Sequence, residues 1–159
     1  MKKLILTAAL LSLPGLAAAQ AVNGRQYVRM AGASDQYEIQ SSRLVLATTR
    51  NPAVRNFATQ MIRDHTQSTA DVKRAAARGG VVAPPPRLNA MQARNIAELR
   101  RARGAARDAL YIQQQKQSHR MALDLQRSYA ASGDVRPLAR TAGAIAPVVE
   151  HHLAELRRM

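Results

Sequence analysis

An all-α fold follows from three features of this 159-residue chain. Aromatic residues make up only 3% of it, with no Trp and one Phe, so Ala, Leu, Val and Ile must fill the core. That composition suits helix packed on helix better than a sandwich or barrel. Apolar residues recur at helical spacing, and period-2 alternation is nowhere sustained. Stop signals at Asn51-Pro52, Gly79-Gly80 and Ser132-Gly133-Asp134 then cut the chain into lengths that suit long helices. Together they predict an up-down four-helix bundle with an extra short helical segment, folded as one domain over residues 20–159.

The first segment reads as an address. Residues 1–19, MKKLILTAALLSLPGLAAA, join two lysines to a short apolar run, a Pro-Gly break and three small residues. This is the pattern of a secretory signal peptide, with cleavage expected between Ala19 and Gln20. A membrane anchor would need about 20 unbroken apolar residues, and Pro14-Gly15 interrupts a run already too short. No second apolar stretch of that length follows, so the mature chain is expected to be soluble in the periplasm or secreted, without a transmembrane segment. Cysteine is absent, which excludes disulfide scaffolds, thiol redox sites and lipid attachment through Cys.

The first helix is expected from about Asn23 to Arg50. Asn51 can cap the second, with Pro52 at its first position, where the missing N–H costs nothing. This helix runs to about Arg78 and stops at the two glycines. Residues 79–88, GGVVAPPPRL, cannot be helical and form the longest connection. Asn89 can cap a short segment to Arg103, and Gly104 marks a break before a long helix to Ala131. Asp134 is a possible cap for the last helix, Val135 to Arg158, which Pro147 should kink near Gly143.

Placing residues at 100° per position shows what shares each apolar stripe. In the first helix Tyr27, Ala31, Val45 and Thr49 align, with Glu38 at the centre. In the second, Val54, Ala58, Met61, Ser68 and Val72 surround His65. In the last, Ile145, Val148, Val149 and Leu156 surround His152, while His151 points off the stripe. The helix after Gly104 is less decisive: Tyr111, Ala122, Leu125 and Tyr129 mark its stripe, Gln115 and Ser118 lie inside it and His119 falls on one flank. A buried carboxylate needs a partner, so Glu38, His65, His119 and His152 are expected to form one polar layer across the core. Such a layer is either a hydrogen-bonded network that fixes helix register or a site for a single Zn, Fe, Mn or Cu ion. A di-iron centre would need Glu-x-x-His units, and the residues three before His119 and His152 are Lys116 and Val149.

The same residues carry a family resemblance. YEIQSSRLVL (37–46), NPAVRNFATQMIRDHT (51–66), the prolines 84–86, RDALYIQQQKQSH (107–119) and PVVEHHLAEL (147–156) resemble the domain of unknown function 4142 family. Its members are ferritin-like helical envelope proteins of bacteria, often labelled outer-membrane proteins. The likeness spans about residue 25 to the end, and the 51–66 block is its most specific part. It implies a ferritin-like bundle, with the family's recurring polar positions falling on Glu38, Asp64, His65, Tyr111, His119 and His152; it implies no reaction. A membrane barrel is excluded, because there are no alternating ten-residue strands and no aromatic girdles.

Charge is lopsided, with 24 Lys plus Arg against 10 Asp plus Glu and a formal net of +14. The densest basic run is Arg100, Arg101, Arg103 and Arg107, an expected anion-binding surface for lipid head groups or acidic envelope polymers. Nucleic acid is not an expected partner, since no aromatic platform accompanies the arginines. Nucleophile motifs are absent, and the methionines are scattered along the sequence. Three functions remain: a non-enzymatic envelope protein whose core layer is structural or holds one ion; a metal-dependent redox protein using Glu38, His65, His119 and His152, with Tyr111 nearby; or a binding module for anions. Asp64, Tyr111 and Gln115 would support the polar core.

Overall fold

The computed structural model describes residues 22–159, so the expected signal peptide lies outside the described residues. Five helices form: α1 (Gly24–Leu46), α2 (Pro52–Arg78), α3 (Ala90–Arg101), α4 (Gly104–Ser132) and α5 (Arg136–Leu156). No strand occurs among the described residues. Asparagines start three of the helices. Asn23 and Asn89 each close a capping box, with Gln26 and Gln92 returning the bond, and the Asn51 side chain accepts from the Ala53 and Val54 amides ahead of Pro52. Gly104 breaks α3 from α4 as expected: at φ +53° it occupies the left-handed region that a side chain disfavours.

Three boundaries differ from the sequence reading. α1 ends at Leu46 rather than Arg50, because Thr49 is tied elsewhere. Its hydroxyl donates to Asp108 Oδ2 at 2.8 Å and accepts the Asn51 amide, and its carbonyl accepts from Arg55. α3 stops at Arg101, two residues short of the expected end. Asp134 does not cap α5. The cap is Val135, without a side-chain bond, while Asp134 accepts from the Tyr129 hydroxyl at 2.9 Å. α5 continues through exposed Pro147, and Val148, expected on its buried stripe, is 42% exposed.

The long helices form a bundle in which α1 packs on α2 and α4, and α5 packs on α4 and α2. Contacts fix the directions. Tyr27 meets Gln126 and Ser42 meets Tyr111, so α1 and α4 are antiparallel; Asp64, midway along α2, meets His152 and Gly79, just past its end, nears Val135, so α2 and α5 are too. α2 and α4 therefore run the same way, and the 79–89 loop with α3 supplies the crossover between them. Counting α3, successive helices alternate in direction; without it, the four long helices make a bundle with one long crossover.

Two apolar clusters fill the core. One gathers Tyr27, Ala31, Val72, Ala76, Tyr129 and Leu138, with Tyr27 stacked on Tyr129 at 4.0 Å between ring centroids. The other gathers Val45, Val54, Phe57, Met61, Leu99, Tyr111 and Leu156. Between them, in chain order along α1 and α2, lie Asp35, Glu38 and His65, all buried.

Arg107 departs from the expected anion-binding surface. It is buried, and its guanidinium donates to the Ala102 carbonyl at 2.9 Å, the Thr48 hydroxyl at 2.8 Å and the Leu44 carbonyl at 3.4 Å. It thereby clamps the α3–α4 joint onto the end of α1, taking up carbonyls that the helix ends leave without donors. Arg103 is exposed but folds back to donate to the carbonyls of Arg100, Arg101 and Ala102. Only Arg100 and Arg101 of the four have side chains in solvent without such bonds. Arg107→Met should therefore destabilise the protein by about 2–3 kcal/mol, since it removes several charge-assisted bonds made by a buried guanidinium, whereas Arg101→Ala should change stability by less than about 0.5 kcal/mol. Urea unfolding of both variants checks this.

Candidate metal centre

Three histidines from three helices meet at the middle of the bundle. His65 (α2), His119 (α4) and His152 (α5) are buried, and one ring nitrogen of each lies within 4.8 Å of the other two. Ring centroids are 5.3–5.8 Å apart. Phe57 packs against His119 and His152 at 6.2 and 6.3 Å and roofs the cluster on the side of the second apolar group.

Each ring has one nitrogen committed to an acceptor. His65 Nδ1 donates to Asp35 Oδ1 at 2.8 Å, His119 Nδ1 to the Gln115 carbonyl at 3.0 Å, and His152 Nε2 to Asp64 Oδ2 at 3.0 Å. A carbonyl or an ionised carboxylate can only accept, so these nitrogens carry the protons and fix the tautomers. In His119 and His152, which burial keeps neutral, the remaining nitrogen is then a lone pair. His119 Nε2 and His152 Nδ1 face each other at 3.3 Å with no proton between them, and buried His65 Nε2 has no partner. Three ring nitrogens thus converge without an acceptor or donor of their own among the described residues.

His119 and His152 resist protonation. Burial, reinforced by the charge of His65, pushes His119 down to about 3. Burial and His119 push His152 down to about 4, despite the hydrogen bond to Asp64. Burial would lower His65 as well, but its bond to Asp35 and the charges of Asp35, Glu38 and Asp64 outweigh it and raise the ring above its usual value. Burial also opposes ionisation of Asp64, yet Arg63 and His152 hold its carboxyl below the ordinary range.

Glu38 stands beside the convergent set. Its Oε1 accepts from Ser118 and lies 3.8 Å from His119 Nδ1, the nitrogen that faces Gln115 rather than His152; its Oε2 is buried without a partner. Burial raises its pKa, although His65, Ser118, Gln115 and His152 all favour the charged form. Tyr111 is one layer away, sharing a 2.8 Å bond with Ser42, and its buried phenol is raised well above the usual value. Gln115 contributes its backbone carbonyl to His119 and its side-chain amide to Ser41 at 3.2 Å.

The structure brings His65, His119 and His152 together. His119 stands at the centre rather than on the flank that the helical angles indicated, and Glu38 lies beside the set; the angles indicated neither. They missed Asp35, which takes a second bond from Thr69 at 3.0 Å. The signal was present: Asp35 and Glu38 are three residues apart, so both fall on one helix face. Asp64 and His65 are adjacent and do not pair with each other; Asp64 serves the histidine of α5, and His65 takes its carboxylate from α1.

The profile of the family described as "Domain of unknown function (DUF4142)" matches residues 12–159. The chain belongs to the DUF4142 family. Solved structures of a second family, DUF305, share its fold. A secreted protein from Streptomyces coelicolor, so described, aligns at 15% identity and a TM-score of 0.69 over 86% of this chain and 90% of its own. A fragment from Deinococcus radiodurans aligns at 15% identity and a TM-score of 0.72 over 84% and 92%. No curated protein matches at a significant level.

The sign of the pH dependence follows from these shifts. His119 and His152 take up protons near pH 6.5 once unfolded but resist them when folded, so the stability they contribute is present above about 6.5 and is lost as the pH falls towards 4. Each can lower stability by about 1.4 kcal/mol per pH unit in that window. Glu38 and His65, both raised in the folded state, oppose this by taking up protons first. Metal-free protein unfolded in urea at pH 7.5, 6 and 5 should weaken on acidification, and His119→Gln/His152→Gln should flatten the profile.

Proposed function

We propose that this DUF4142 protein is an exported helical-bundle protein that holds a single transition-metal ion on His65, His119 and His152. The observation that carries the reading is the convergence, in a buried space, of three imidazole nitrogens whose partner nitrogens are already tied to acceptors. A metal ion would relieve the facing lone pairs of His119 and His152, whose protonation is opposed by burial. For one of the three nitrogen pairs the fit extends to distance. Metal–nitrogen bonds of about 2.0–2.1 Å at the tetrahedral angle place two donor nitrogens about 3.3 Å apart, and His119 Nε2 and His152 Nδ1 lie 3.3 Å apart. The outer bonds to Asp35, Gln115 and Asp64 are of the kind that orients ligating histidines and raises their basicity.

Three neutral imidazoles suit Zn, Cu or Fe better than Mn, which favours oxygen ligands. Asp35, Asp64 and Glu38 surround the centre with carboxylates that offset a dication's charge. Glu38 is a charge partner in this reading, not one of the three convergent ligands. The single crossover through α3 supports kinship with ferritin-like bundles, which build metal sites from facing helices. Export by residues 1–19, and a periplasmic location, are supported by the secreted DUF305 neighbour and by the absence of any described helix long and apolar enough to cross a membrane.

Elemental analysis of untagged protein purified from the periplasm tests the reading. About one ion per chain is expected, lost in His119→Ala/His152→Ala. Asp35→Asn and Asp64→Asn should each retain the fold and weaken Zn binding by roughly 10–100-fold. No ion in the native protein, with thermal stability indifferent to added Zn, Cu, Fe and Mn, would leave the layer as a structural network alone.

A further inference from the structure

Away from the histidines, α1, α3 and α4 flank a cavity of about 480 Å³ that is open to solvent on one side, a size within the usual range of about 300–1,000 Å³ for small-molecule sites. Its apolar lining includes Met30 from α1, Met91 from α3, and Met121 and Leu125 from α4. Scattered along the sequence, three methionines line one cavity. Four large apolar side chains are exposed among the described residues, Met30, Val82, Met121 and Val148, and two of them stand here. Flexible, polarisable thioethers adapt to an aliphatic ligand better than branched side chains do.

The charge of this cavity is one-sided. Arg29 and Arg87 line it, and no acidic residue or histidine does. Neither arginine belongs to an ion pair among the described residues, although Arg63, Arg74 and Arg127 do. A metal dication would find two guanidiniums and no hard ligand, so the cavity is not a second cation site. An apolar wall with two available guanidiniums has the complementarity of a ligand with an aliphatic tail and an anionic head. The volume holds one tail of medium length and not the paired long chains of a phospholipid.

We propose that the α1–α3–α4 cavity binds a single-chain aliphatic carboxylate, its tail against Met30, Met91, Met121 and Leu125 and its head on Arg29 and Arg87. The proposal stands apart from the histidine centre and does not require it. Calorimetric titration of the mature chain with decanoate, decanol and inorganic phosphate tests it. Decanoate should bind one per chain, decanol at least roughly tenfold more weakly, and phosphate not measurably. Arg29→Gln/Arg87→Gln should weaken decanoate roughly tenfold and leave decanol unchanged, and Met121→Glu should weaken decanoate more than decanol. All three positions are solvent-exposed, and unchanged urea midpoints would show that the variants fold. Equal affinity for decanoate and decanol, or decanoate binding unaffected by the arginine changes, would overturn the proposal. Zn titration of the same variants reads the histidine centre separately, so failure of either idea is distinguishable from failure of the other.

Discussion

The polar middle of this bundle rests on one constraint: His65, His119 and His152 each give one N–H to a fixed acceptor, and their other nitrogens are left facing one another. The acceptors come from different places. Asp35 lies on α1, Asp64 on α2, and the Gln115 carbonyl belongs to the same helix as the ring it orients. Every long helix therefore contributes to the arrangement. Sliding one helix by a turn would separate a ring from its acceptor and leave a buried polar group unmet, at about 1–3 kcal/mol for each loss. The cluster sets helix register as well as offering a ligand set.

The rest of the fold isolates that layer. The Tyr27–Tyr129 cluster closes one end of the core and the Phe57–Tyr111 cluster the other, so water has little access to the three rings. Burial is what keeps His119 and His152 unprotonated at neutral pH and available as ligands. The Arg107 clamp and the α3 crossover hold the Phe57 end of the bundle together, where α1 ends and α4 begins. α3 also walls the second, apolar cavity, so the one helix outside the four-helix layout creates the surface feature that the other four could not.

Much of the candidate centre was legible because an amphipathic helix leaves a simple record. Glu38, His65 and His152 stood at positions where apolar residues were expected, and a polar residue there must be paired in the core. His119 was less visible, since α4 mixes Gln114, Gln115 and Ser118 into its buried face and blurs the stripe. Asp35 was not singled out, although its spacing from Glu38 placed it on the same side. Arg107 read as part of a basic surface run, because nothing local distinguishes a solvated arginine from one whose donors are taken by carbonyls of another helix.

The amino-acid sequence by itself determined the elements. Asn-led starts, glycine and proline stops and helical apolar spacing depend on interactions within a few residues, and these placed the five helices to within a few positions. It also determined which ring of the adjacent His151 and His152 turns inward. Only the tertiary structure decided the pairings: that Asp64 serves His152 rather than its neighbour, that Glu38 lies beside the convergent nitrogens rather than among them, and that Met30, Met91 and Met121 share one cavity. Those facts depend on the relative rotation and direction of whole helices. Side-chain periodicity specifies the face that each helix buries, but not which residue of a neighbouring helix arrives opposite it.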